Sequence, residues 1–171
     1  MRYLVPALAL ITIATPAVAA LPVGAKAPDF ETTGAIAGKP FKLHLAEQLK
    51  HGPVVLYFFP KAFTSGCTAE AHAFSDAAKD FTAAGARVIG MSTDDLPTLQ
   101  KFSVTECRNA FPVATASAAT VKAYDVKLPV VNMTNRTSYV IARDGKITMV
   151  HSEMSFKDHV ALSLAAVRKL R

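Results

Sequence analysis

The chain has 171 residues, 51% of them apolar and 19% charged, with two cysteines and a formal charge of +6. That length and composition make one globular domain with a substantial core, and they exclude a disordered or low-complexity chain. The basic residues are scattered with no run of five or more, which fits a solvated surface rather than a nucleic-acid face.

Residues 1–20, MRYLVPALALITIATPAVAA, have a basic start at Arg2, an apolar body and a small-residue end at Ala17, Val18, Ala19 and Ala20. This is the layout of a secretory signal peptide. The apolar body is shorter than the roughly 20 residues that span a bilayer, and Pro6 and Pro16 interrupt it, which disfavours a retained anchor. The expected mature domain is 21–171, exported, and periplasmic in a bacterial host. Both cysteines then meet an oxidising compartment, where they could form a structural disulfide, a catalytic pair or two unrelated thiols.

From Pro53 the run VVLYFF, Val54 to Phe59, is continuous, β-branched and aromatic, and reads as a strand buried on both faces. Pro60 ends it. After the loop KAFTSG, apolar residues recur at Ala71, Phe74, Ala78 and Phe81, one face of a helix that starts at Cys67 and stops at Gly85. ARVIGMST, 86–93, is the next buried strand, and Asp95 with Pro97 opens a helix to about Arg108. These pieces form a parallel strand, helix, strand unit. TSYVIA (137–142) and KITMVH (146–151) flank Arg143, Asp144 and Gly145, predicting a β-hairpin. Ser155 and Asp158 resemble a capping box, and Phe156, Val160, Leu164 and Val167 give the last helix an apolar stripe. The resulting mixed sheet with helices on both faces is an α/β architecture of the thioredoxin-like kind.

Cys67 can be read as a packed core thiol. Its place at a helix start argues for chemistry instead, because first-turn N–H groups are unpaired and the dipole end is positive, so a thiolate is stabilised there. The five histidines show no metal-ligand spacing. Asn132 and Asn135 head N-x-T sequons that read as incidental.

PKAFTSGC matches P-x-x-x-T-x-x-C and resembles the active-site signature of the peroxiredoxins. LPVGAKAPDF (21–30) is similar to the start of their mature domains, and NRTSYVIARDGKI (135–147) resembles their strand carrying an active-site arginine. The PrxQ or bacterioferritin-comigratory-protein branch fits best, since no C-terminal extension with a second cysteine is present. The resemblance implies a thiol peroxidase acting on hydrogen peroxide and small organic hydroperoxides, with no haem, flavin or metal. It would be recycled by a thioredoxin-like dithiol and would be a monomer or weak dimer, with no membrane or nucleic-acid partner. It assigns attack to Cys67, a donor facing sulfur and peroxide to Arg136, a hydrogen bond to the sulfur to Thr64, backbone donors to Gly66 and Cys67, and shielding to Pro60. Glu70 is expected to orient polar groups nearby.

One departure from the family concerns recycling. Many relatives carry a resolving cysteine five residues after the first, where this chain has His72. Cys107 is the candidate resolving thiol. A disulfide needs Cα atoms within about 7 Å, so a helix end would have to unwind for Cys67 and Cys107 to pair. The alternatives are a one-cysteine peroxidase using an external thiol, with Cys107 a buried hydrophobe, and a binding or chaperone module without turnover. The absence of C-x-x-C disfavours a thiol:disulfide oxidoreductase.

Overall fold

The structure is a computed structural model that describes residues 20–170. Residues 1–19, and with them nearly all of the segment expected to be a signal peptide, lie outside the described residues. The elements in chain order are β1 (Glu31–Ile36), β2 (Lys39–His44), α1 (Leu45–Lys50), β3 (Val54–Phe58), α2 (Ser65–Asp76), α3 (Ala78–Ala83), β4 (Arg87–Ser92), α4 (Leu96–Thr105), β5 (Val113–Thr115), α5 (Ala118–Ala123), β6 (Thr137–Ile141), β7 (Ile147–Ser152) and α6 (His159–Arg168). The strands form one sheet in the order β2-β1-β5-β4-β3-β6-β7. β3 runs parallel to β4, and β4 to β5, whereas β6 pairs antiparallel with both β3 and β7. This is the mixed thioredoxin-like sheet expected from the sequence.

The apolar run of β3 is explained by its central place. All five of its residues are buried, and alternation divides them between two cores. Val55, Tyr57 and Phe59 face Phe74, Phe81, Phe102 and Val167, while Val54, Leu56 and Phe58 face Leu45, Leu49, Val121 and Tyr124. Both cysteines lie in the first of these cores. The opening segment runs beside the start of β7, with Gly24 N–H donating to Ile147 O and Ala27 N–H to Gly145 O. Asp95 caps α4 by accepting from Thr98 N–H at 2.9 Å, as its sequence signature predicts.

Three expectations change. The helix expected from Cys67 to Gly85 starts two residues earlier and is interrupted at Ala77, which separates α2 from α3. There the end of α2 is tied sideways: Ser75 Oγ donates to Cys107 O at 2.7 Å, and Asp76 pairs with Arg108 at 2.8 Å. The last helix starts at His159, and its cap residue Asp158 makes no side-chain capping bond, so the capping box at Ser155 is not formed. Its fully buried line is His159, Ser163 and Val167 rather than the apolar stripe alone, because that face meets a polar cluster described below.

Gly90 sits in the middle of β4, where a glycine normally weakens a strand. A Cβ there would lie 2.8 Å from the Tyr57 ring, whose stacking on Phe74 at 4.3 Å leaves it little freedom. Gly90→Ala is therefore expected to cost about 1–3 kcal/mol through overpacking, read as a lower urea midpoint with an unchanged slope.

Candidate active site

The site is assembled where β3 ends. Pro60 leaves the ladder after Phe59 N–H has bonded Met91 O, and the following loop is pinned by Ala62 N–H donating to Asp94 Oδ2 at 2.8 Å. Phe63 takes a left-handed backbone, φ 65°, and sets its ring edge-on against Phe102. Thr64, in extended conformation, is the N-cap of α2, and the first intrahelical bond runs from Thr68 N–H to Thr64 O. Gly66 and Cys67 thus lie in the first turn, ahead of that bond, where N–H groups are available to a negative charge.

Cys67 is 2% exposed, and its Sγ accepts from Arg136 Nη2 at 3.5 Å. Arg136 precedes β6, whose antiparallel pairing to β3 brings it beside the loop, and Thr134 Oγ1 secures the same approach by donating to Phe59 O at 2.8 Å. The guanidinium is almost wholly buried and divides its donors three ways. Nε donates to Met154 O at 2.9 Å, Nη1 to Glu70 Oε2, and Nη2 to the sulfur. A Cβ on Gly66 would stand 3.2 Å from Nη2, so the absence of a side chain there gives the guanidinium its space.

The structure brings Cys67, Gly66, Arg136 and Glu70 together, with Pro60 at the start of the loop. Thr64 departs from the expected geometry: its hydroxyl is exposed and donates to Lys61 O at 3.0 Å instead of to the sulfur. Its hydroxyl turns about a single bond, and the local carbonyl is the acceptor within reach. Cys107 is fully buried, and burial first, then the charge of Glu106, pushes its thiol far above the ordinary range. His72, in the place of a possible second cysteine, pairs with Glu106 at 2.9 Å. Asn135 is buried with its Oδ1 accepting from Thr137 Oγ1, so a glycan there would not fit.

The sequence reading passed over a second group behind Arg136. His159 and Ser138 are fully buried, with His159 Nδ1 at 2.8 Å from Ser138 Oγ and Nε2 at 2.9 Å from Glu153 O. A carbonyl can only accept, so Nε2 carries the proton and Nδ1 accepts from the serine. Burial holds His159 down at about 4, and the ring is neutral. Burial pushes Glu70 up to about 8 in spite of Arg136. The signal available in sequence was two polar residues four apart, His159 and Ser163, on an otherwise apolar helix face.

A cavity of about 260 Å³ opens beside Arg136, lined by Leu128, Pro129, Asn135, Ser152, Glu153 and Met154. A larger one of about 600 Å³ lies among Phe41, Phe81, Arg87 and Phe111 and touches none of the candidate residues.

Residues 23–150 match the AhpC/TSA family model. A putative peroxiredoxin of Mycobacterium tuberculosis is 36% identical over 148 residues, covering 84% of this chain and 94% of that one. Peroxiredoxin Bcp of Bacillus subtilis is 30% identical over 154 residues, covering 86% and 96%. The crystal structure of peroxidoxin BcpB from Mycobacterium tuberculosis superposes with a TM-score of 0.75 at 35% identity, over 87% of this chain and 97% of that one.

The titrations of His159 and Glu70 have opposite consequences for stability. His159 is neutral when folded down to about pH 4 but protonates near 6.5 when unfolded, so its contribution is complete above pH 6.5 and is lost as pH falls through 4. Glu70 keeps its proton when folded up to about pH 8, so its contribution is complete below the ordinary carboxyl range and is lost as pH rises through 8. The stability of wild type relative to His159→Gln should therefore grow by roughly 3 kcal/mol between pH 4 and 6.5, measured by urea unfolding at each pH.

Proposed function

The chain belongs to the AhpC/TSA family, in its Bcp-type peroxiredoxin branch, and we propose that its thiol peroxidase chemistry runs through Cys67. Peroxiredoxins of this kind take a peroxide as substrate and a thioredoxin-like dithiol as reductant. The observation that carries the assignment is a buried thiol in the first turn of α2 facing a buried guanidinium, Cys67 Sγ to Arg136 Nη2 at 3.5 Å.

In the proposed cycle the Cys67 thiolate attacks one oxygen of the peroxide, the S–O bond forms as the O–O bond breaks, and the sulfur becomes a sulfenic acid. Arg136 and the first-turn N–H groups of Gly66 and Cys67 stabilise charge growing on the departing oxygen, a contribution that preorganised donors make most effectively in a dry site. Pro60 shields the sulfur, and Thr64 turns its hydroxyl from Lys61 O to the bound peroxide. Cys107 then attacks the sulfenic acid, releasing water and forming a disulfide. While buried it is a poor nucleophile, and Ser75, His72 and Asp76 tie its neighbourhood to α2, so this step requires the end of α4 to open. That burial is also what favours the second reading, a one-cysteine enzyme restored by an external thiol. Export to an oxidising compartment, periplasmic in a bacterium, follows from the layout of residues 1–20, and a monomer or weak dimer from the branch.

Arg136→Met should lower the rate of peroxide reaction by about 10²–10³, measured by stopped-flow at saturating reductant, and Cys67→Ser should abolish it. Cys107→Ser should still form the sulfenic acid, detected as a dimedone adduct, but no intramolecular disulfide. Wild-type protein that gives no Cys67–Cys107 bond by mass spectrometry after one equivalent of peroxide favours the one-cysteine reading.

A further inference from the structure

Two acids share one buried cation in this site. Arg136 reaches Cys67 with one terminal nitrogen and Glu70 with the other, and its third bond goes to a neutral carbonyl. Both acids are buried, at 2% and 0% exposure. A dry pocket with a single positive charge accommodates one negative charge; a second would be both desolvated and repelled by the first.

The two oxygens of Glu70 are not equivalent. Oε2 is on the guanidinium, whereas Oε1 is buried without a hydrogen-bond partner. Facing it across the pocket is His159 Nδ1, at 3.8 Å. Because Nε2 of that ring must donate to Glu153 O, the single lone pair of Nδ1 takes the Ser138 hydroxyl, and the ring offers Oε1 no donor. With no donor at Oε1, a carboxylate there is left half unpaired in a dry pocket, whereas a carboxyl protonated on that oxygen keeps Oε2 for the guanidinium and carries no charge to desolvate. The other titratable groups packed around the pair are Tyr57 on β3 and His151 on β7, the latter with its ring 4.5 Å behind that of His159.

Resting on the reading of Cys67 as the attacking thiolate, we infer that Glu70 stores the proton of the site on Oε1 and gives it up when the sulfur's charge departs on the peroxide's leaving oxygen. The upward displacement of Glu70 by burial agrees with this. The step balances as Cys67–S⁻ plus RO–OH plus Glu70–COOH giving Cys67–SOH, ROH and Glu70–COO⁻. The sulfur loses two electrons to the O–O bond, the leaving alkoxide or hydroxide gains a proton, and Arg136 faces one negative charge before and after. Reduction of Cys67 reverses the exchange, with Glu70 taking the proton back as the thiolate returns. Glu70 does not touch the reacting atoms; it acts on them through the guanidinium and through the charge it vacates or assumes.

The test uses the full chain with Cys107→Ser, so that oxidation stops at the sulfenic acid, in weak buffer near pH 7 with one equivalent of hydrogen peroxide. An indicator dye should record no net proton uptake per sulfenic acid formed, and the infrared difference spectrum should show a protonated carboxyl band lost and carboxylate bands gained. Adding Glu70→Gln should remove both infrared changes and raise the uptake to one proton from the medium. A protein that forms the sulfenic acid normally, takes up a full proton with Glu70 present and loses no carboxyl band overturns the inference while leaving the peroxidase reading intact. If no dimedone adduct forms at Cys67, the peroxidase reading fails, and the inference fails with it.

Discussion

The buried guanidinium of Arg136 is the interaction on which the rest of the site depends. An arginine placed in a dry interior needs a partner for each face of its fork, because an unmatched charge there costs several kcal/mol. Its three bonds reach the first and second turns of α2 and the chain beyond β7, so a single side chain ties together three segments distant in sequence. The sheet makes this possible. β6 lies antiparallel to β3, which puts the residue entering β6 directly across from the loop leaving β3, and the Thr134 hydroxyl on Phe59 O fixes that approach.

Placing one cation between two acids has a further consequence for the layer behind it. If His159 were protonated, the pocket would hold two cations, and the thiolate and the carboxylate could both persist. Complete burial keeps that ring neutral in spite of the bond from Nε2 to Glu153 O, and Ser138 occupies its other nitrogen. The number of negative charges in the pocket is thus limited from behind as well as by Arg136 itself, through a residue that never approaches the substrate.

What was legible in the sequence divides along physical lines. β3, β4 and the β6–β7 hairpin were readable because strands buried on both faces demand unbroken apolar runs and hairpins demand turn residues. The β1–β2 hairpin was not, since ETTGAI and KPFKLH form a half-exposed edge with mixed polarity, and β5 is only three residues long. Within the site, Cys67 stood out by its place at a helix start, while Pro60, Thr64 and Gly66 were found through resemblance to a family signature that spans the same short stretch. Arg136 was found through resemblance to a family segment, since nothing local distinguishes a buried arginine from a surface one. His159 escaped because a polar residue in an otherwise amphipathic helix reads as exposed until its neighbours in space are known. The hydroxyl of Thr64 escaped for a different reason: its direction is a matter of one torsion, which spacing does not constrain.

The same packing that in the proposed cycle readies Cys67 for attack makes its restoration difficult. In the proposed cycle the α2 first turn presents its N–H groups while Cys67 attacks, and the segment that holds Cys107 yields afterwards. The contacts there are of the weaker kind. The Asp76–Arg108 pair is exposed and the His72–Glu106 pair is partly exposed, and such pairs contribute at most about 1 kcal/mol each. Arg108 and Asn109, immediately after Cys107, both sit in the left-handed region, at φ 50° and 60°, a conformation that costs non-glycine residues roughly 1 kcal/mol or more. Opposing release are the burial of Cys107 itself and the bond from Ser75 to its carbonyl. In the proposed cycle the fold therefore separates a rigid half, centred on Arg136, that would govern reaction with peroxide from a marginal half, centred on Cys107, whose opening would set how long the sulfenic acid survives.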